Sequence, residues 1–290
     1  MLLSTETANI AADNGALSAL AIARRRGYPV PQSITNAEAV VTAVAELANG
    51  QTPTAPSLPD HAKDVAKTVS AAAAARANAD HVRQLSDELK PLAAQRVATL
   101  ARQACEGWCQ NLRETFDGHL TALRQAAPNA PRVNSSQLGD LNPDQFALWA
   151  TVNASTLELD SCVTDRLVIA TALRENYAHR DYPRMTTYII AKPPTRGETA
   201  AMRQAHRDRI ETFNAIRAEH DPVARWRNVL DAERSGALTI ELARPGEAAA
   251  RAEMFNTWTS FGYALQEPRN LADYLSQADN TYRTLTPAGR

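Results

Sequence analysis

Glycine and cysteine are scarce in this chain of 290 residues, with 11 of the first and three of the second. Three cysteines (Cys105, Cys109, Cys162) are too few and odd in number for a disulfide scaffold. Only four of the 31 basic residues are lysine (Lys63, Lys67, Lys90, Lys192), and aromatic residues make up 6%. Neither sign of charge dominates. The 31 basic residues meet 32 acidic ones, and the net charge of −1 argues against a bulk electrostatic binder of nucleic acid or anionic membrane. No long uncharged apolar run is present, so no transmembrane helix is expected. The apolar stretch Ala16 to Ala23 precedes Arg24-Arg25-Arg26, the reverse of the order in a secretory signal, and the expected compartment is the cytoplasm. There is no GxSxG, GxGxxG, Gly-rich phosphate loop, HExxH or CxxC. No enzyme activity, catalytic residue, metal or cofactor is expected.

What the chain has is alanine, 55 residues of it. Alanine is the best helix former and glycine among the worst, so the expected class is mainly α. Helices are predicted over residues 6–26 and 37–48. Pro29 and Pro31 stop the first, Thr35 or Asn36 caps the second, and Asn49-Gly50 ends it. Three prolines in residues 51–59 predict an extended linker.

Residues 60–127 then read as one long helix with a kink near Pro91. From Val65 to Val97 apolar or small residues recur every ~3.56 positions, and from Val97 to Leu123 every ~3.71. The change of period argues against a single left-handed coiled coil. A bent rod is preferred to a hairpin folding at Lys90-Pro91, because no turn residues are present there. A second linker is expected over 128–142.

A C-terminal helical domain is predicted over 143–265, beginning at a helix capped by Asn142 with Pro143 at its first position. A further helix is expected to start at Asp160. Two short strands, near 185–191 and 237–243, have the β-branched or alternating pattern and are expected to pair. Helices fill 197–219, 222–234 and 247–265, and 266–290 reads as a short helix and tail. The whole is expected to be an elongated helical protein with a small two-stranded element.

Several constellations carry a functional and a structural reading. Cys105 and Cys109 share a helix face and could supply two metal ligands, but two small residues packed beside Trp108 is the preferred reading. His206 and His220, with Asp208, Glu211, Glu219 and Asp221 nearby, read as a solvated charged helix end. His179-Arg180-Asp181 has acid–base residue types, yet basic groups at a helix C-terminus also serve its dipole. Arg24, Arg25 and Arg26 could contact phosphates, or close the first helix. The arginines between 203 and 227 are interleaved with carboxylates, with Arg207 and Glu211 at i,i+4 spacing.

The favoured expectation is a non-enzymatic structural or assembly protein. It would form a homo-oligomer, or dock another protein of an assembly, through residues 60–127. The face Val97, Leu100, Trp108, Leu112, Phe116, Leu120 and Leu123 is the expected interface. By analogy alone, a bacterial or phage-like particle or scaffold component fits. The alternative is a nucleic-acid-binding accessory protein using the Arg24–Arg26 cluster.

Overall fold

A computed structural model describes residues 5–50, 65–133, 135–175, 182, 184–194, 196–265 and 268–286. Among these, eight α-helices and one two-stranded sheet form. The chain divides into two compact units, Met1–Ala104 and Cys105–Arg290. The linker expected over 51–59 lies outside the described residues.

The first unit is helical. α1 (Thr5–Arg25) buries Ala16, Ala19, Leu20, Ile22 and Ala23. It ends where Gly27 adopts φ +70°, with Tyr28 N–H donating to the Ala23 carbonyl at 2.8 Å, the closure that lets glycine terminate a helix. α2 (Gln32–Gly50) begins directly after Pro31, earlier than a cap at Thr35 or Asn36 allows. The Pro31 carbonyl accepts from Ile34 N–H at 2.9 Å, and Asn36 instead accepts from Gln32 Nε2 within the first turn. Arg24 of α1 pairs with Glu38 of α2, and Asp13 of α1 with Arg102.

α3 (Val65–Ala126) has 62 residues and crosses the unit boundary without interruption. It also continues through Pro91, so the chain does not fold back there. A proline removes one N–H and crowds the preceding carbonyl, at about 3 kcal/mol. The helical turns on either side keep their own hydrogen bonds, and the element persists.

In the second unit, part of the expected linker is ordered as a 3₁₀ helix over Ser135–Asp140. α4 (Pro143–Ala172) starts at a capping box. Asn142 Oδ1 accepts from Gln145 N–H at 2.9 Å, and Gln145 Oε1 accepts from Asn142 N–H at 3.1 Å. α4 runs through Asp160, where a separate helix had been expected. Asp160 caps nothing there; its carboxylate accepts from Trp226 Nε1 at 3.0 Å and pairs with Arg225.

The two strands pair, but are shorter than their sequence patterns. β1 (Ile189–Ala191) lies antiparallel to β2 (Leu238–Ile240), with Ile189 opposite Ile240 and Ala191 opposite Leu238. Met185–Thr187 form a 3₁₀ turn instead of strand. α5 (Thr199–Ala218), α6 (Pro222–Arg234) and α7 (Ala248–Ala264) lie close to expectation. α8 (Pro268–Leu285) occupies most of the expected tail and buries Leu275, Ala278 and Leu285. α7 packs on α8, α5 and β1. The core is aromatic: Trp226 lies 4.9 Å from Tyr188 and 6.0 Å from Phe116, and Phe213 lies 4.8 Å from Phe255, between ring centres.

Candidate functional site

The expected interface on α3 is largely unavailable to another chain. Trp108, Leu112, Phe116, Leu120 and Leu123 are 0–2% exposed, and Val97 is 4% exposed. Only Leu100 is half-buried. The reason is physical. A 3.6-residue apolar period marks a face that will be buried, and the same period serves a core or an interface. Here the second unit's own helices need that face: Phe116 sits edge-on to Trp226 of α6. This part of the expected interface is therefore corrected to core.

Polar side chains of α3 are committed in the same way. Arg113 Nε donates to the Leu242 carbonyl at 3.1 Å, and Arg113 Nη2 pairs with Glu241 at 2.6 Å. Arg166 of α4, fully buried, donates from Nε to the Ala243 carbonyl at 2.7 Å and from Nη2 to the Arg244 carbonyl at 3.0 Å. Its Nη2 also pairs with Glu175 at 2.6 Å. Arg251 of α7, also fully buried, donates to the Glu241 carbonyl at 2.6 Å and pairs with Glu247 at 2.8 Å. Guanidinium groups from three helices thus satisfy four successive carbonyls beyond β2, where no third strand pairs among the described residues. Buried charges need such pairing, and this cluster holds the strand exit in one position. No sequence pattern announces it, because arginines on three helices converge only in the fold.

The cysteines are packing groups. All three are buried, and none is in a disulfide. Cys109 Sγ donates to the Ala243 carbonyl at 3.7 Å, and burial pushes its thiol above the ordinary range while Arg166 pulls it back in part. Among the described residues, no group of three His, Cys, Asp or Glu could hold a metal ion.

His206 and His220 do not come together as a site. His206 Nε2 lies 3.0 Å from the Trp258 carbonyl, and its ring packs on Phe261 and the bare Cα of Gly262. His220 is exposed at the end of α5, beside a small cavity lined by Arg184, Arg217, Arg225 and Tyr188. His179, Arg180 and Asp181 lie outside the described residues. Arg207 donates to Gln204 rather than pairing with Glu211. Arg24 pairs with Glu38, Arg25 is exposed, and Arg26 is half-buried.

One surface remains that periodicity alone did not single out. Eight of the ten large apolar side chains exposed among the described residues belong to the first unit. On α3 they include Leu85, Leu89 and Leu92, which are 47%, 50% and 61% exposed. At 100° per residue these three fall within about 60° of one another. Their stripe is turned roughly 100° from the buried sector of Ala79, Ser86, Ala93 and Val97. Leu89 belongs to the counted apolar series, but Leu85 and Leu92 do not. Their signal was present as an i, i+4, i+7 group and was masked by the stronger Ala/Val stripe.

No protein-family model matches the chain, and neither does any curated protein or solved structure. Among the described residues no helix is long and apolar enough to cross a membrane.

Proposed function

We propose that this is a structural protein that associates with a second copy of itself through α3, using the Leu85, Leu89 and Leu92 face rather than the Trp108–Leu123 face. The observation that carries this reading is the exposed leucine stripe on a helix whose other apolar face is already buried. Covering a leucine is worth about 1.5–3 kcal/mol, and a contiguous stripe gains this only against a partner. Charges near the stripe support a like partner. Asp80 pairs with Arg83 and Asp87 with Lys90 within the helix, so no single-sign field repels a second copy.

The test is light scattering on the full chain during size-exclusion chromatography. The wild type is expected to elute as a defined oligomer. The combined Leu85→Asp, Leu89→Asp, Leu92→Asp variant is expected to elute as a monomer with unchanged helix content. A wild type that stays monomeric at high micromolar concentration rejects the proposal, and an oligomer that survives the triple substitution rejects this face.

A further inference from the structure

A cavity of about 670 Å³ lies in the second unit between α4, α6 and the segment that precedes the 3₁₀ helix. Its size suits a small organic molecule. Trp149 and Asn153 of α4 form one wall, Arg227 and Asn228 of α6 another, and Arg132 stands on the lip.

Among the described residues neither arginine has a carboxylate within ion-pair distance, whereas the neighbouring Arg225 pairs with Asp160. Arg227 Nη2 donates to the Pro131 carbonyl at 3.1 Å and, more weakly, to the Ala130 carbonyl at 3.4 Å. Its Nε is buried and has no hydrogen-bond partner among the described residues. Burial first, and the nearby Arg132 charge second, hold the Arg227 guanidinium below its ordinary range, against a smaller opposing pull from Asp221 and Asp231. Two carboxylates do line the cavity, but each is engaged. Asp221 caps α6, accepting from Ala224 N–H at 2.7 Å, and Asp231 pairs with Arg234 at 2.8 Å.

A pair of neighbouring guanidinium groups is stabilised by an anion that accepts from both, and their planar forks match phosphate geometry. Trp149 is half-buried and lines the cavity, with Phe146 tilted against it at 5.8 Å, so an aromatic ring is at hand for a planar group. The Asn153 and Asn228 amides supply donors and acceptors between ring and phosphate.

We propose that this cavity binds a small organic phosphate of the mononucleotide class, its phosphate between Arg132 and Arg227 and its planar ring against Trp149.

The experiment is isothermal titration of the full chain, at low ionic strength, with adenosine 5′-monophosphate and separately with inorganic phosphate. The nucleotide is expected to bind one site more tightly than phosphate. Arg132 is exposed, so Arg132→Ala should leave the fold intact and weaken both ligands about tenfold or more, the effect of losing a charged hydrogen bond. Trp149→Leu should lower the nucleotide to the level of phosphate. Arg227→Lys keeps the charge but loses the fork, and should weaken both ligands. No heat with either ligand at millimolar concentration overturns the proposal, as does binding indifferent to Arg132→Ala. A single-stranded oligonucleotide that binds more tightly than the nucleotide, with the same arginine dependence, overturns it in favour of a polymer.

Discussion

A buried arginine shows how strongly single residues are fixed in the second unit. Arg166 holds two carbonyls and Glu175 at once, with no exposed surface. Replacing it by methionine keeps the volume but leaves Glu175 and the Ala243 and Arg244 carbonyls without this donor. The expected cost is about 3–5 kcal/mol, read from urea unfolding. A change below about 1 kcal/mol, the value of an exposed pair, would show the cluster to be solvated. Cys109 makes a prediction against pH. Burial raises its pKa in the folded state, so the unfolded chain gives up this proton first as pH rises. Buried Tyr188 is raised for the same cause. The sign follows: both groups contribute stability that is fully present below their unfolded pKa values. For the thiol that value is 9.0, and its contribution is lost as pH climbs above it. Stability should therefore fall on the alkaline side. At neutral pH a thiol reagent should label none of the three cysteines in the folded chain and all three in denaturant. Rapid labelling of the native protein would contradict the burial.

At the scale of elements, much was legible where local chemistry decides the outcome. Asn142-Pro143 and Asp221-Pro222 start helices because cap and proline act within one turn. Ala237 to Ala243 announced a strand through its alternation. What was not legible depends on distant partners. Asp160 resembles a cap by type, but the fold uses it to hold Trp226 and Arg225. The length of α8, expected only as a short helix and tail, was not legible because Leu275, Ala278 and Leu285 are sparse until Phe261 stacks on Tyr274. Gly262 is another such case: a Cβ placed there would lie 3.0 Å from His206 Cε1. Gly262→Ala therefore sets two effects against each other. Helix propensity favours alanine by about 1 kcal/mol, whereas overpacking α5 against α7 costs about 1–3 kcal/mol. The single variant should be destabilised. In a His206→Ala background, where the space is open, the same change should be stabilising. Equal effects in both backgrounds, measured by thermal unfolding, would mean the histidine moves aside freely.

For the whole molecule, the division into two units inside one continuous helix has a measurable consequence. The buried apolar residues of the first unit are mostly alanine, with Leu20, Ile22, Ile34, Val44 and Val97 the larger exceptions and no aromatic ring among them. The second unit buries Trp226, Trp258, Phe116, Phe213, Phe255 and Phe261. A buried alanine removes far less apolar area from water than a buried aromatic, so the first unit is held by less hydrophobic free energy per residue. It should melt first. The sequence provides the probe, because all four tryptophans (Trp108, Trp149, Trp226, Trp258) lie within the second unit. On heating, far-ultraviolet circular dichroism should start to fall before tryptophan fluorescence changes, since only the former senses both units. Leu112→Asp places a charge at a position with no exposed surface and should lower the fluorescence transition while leaving the early dichroism loss in place. Leu20→Asp, at a buried position of α1, should do the opposite. If the two signals instead coincide, and either substitution moves both together, then α3 transmits stability across residue 104 and the chain unfolds as one cooperative body.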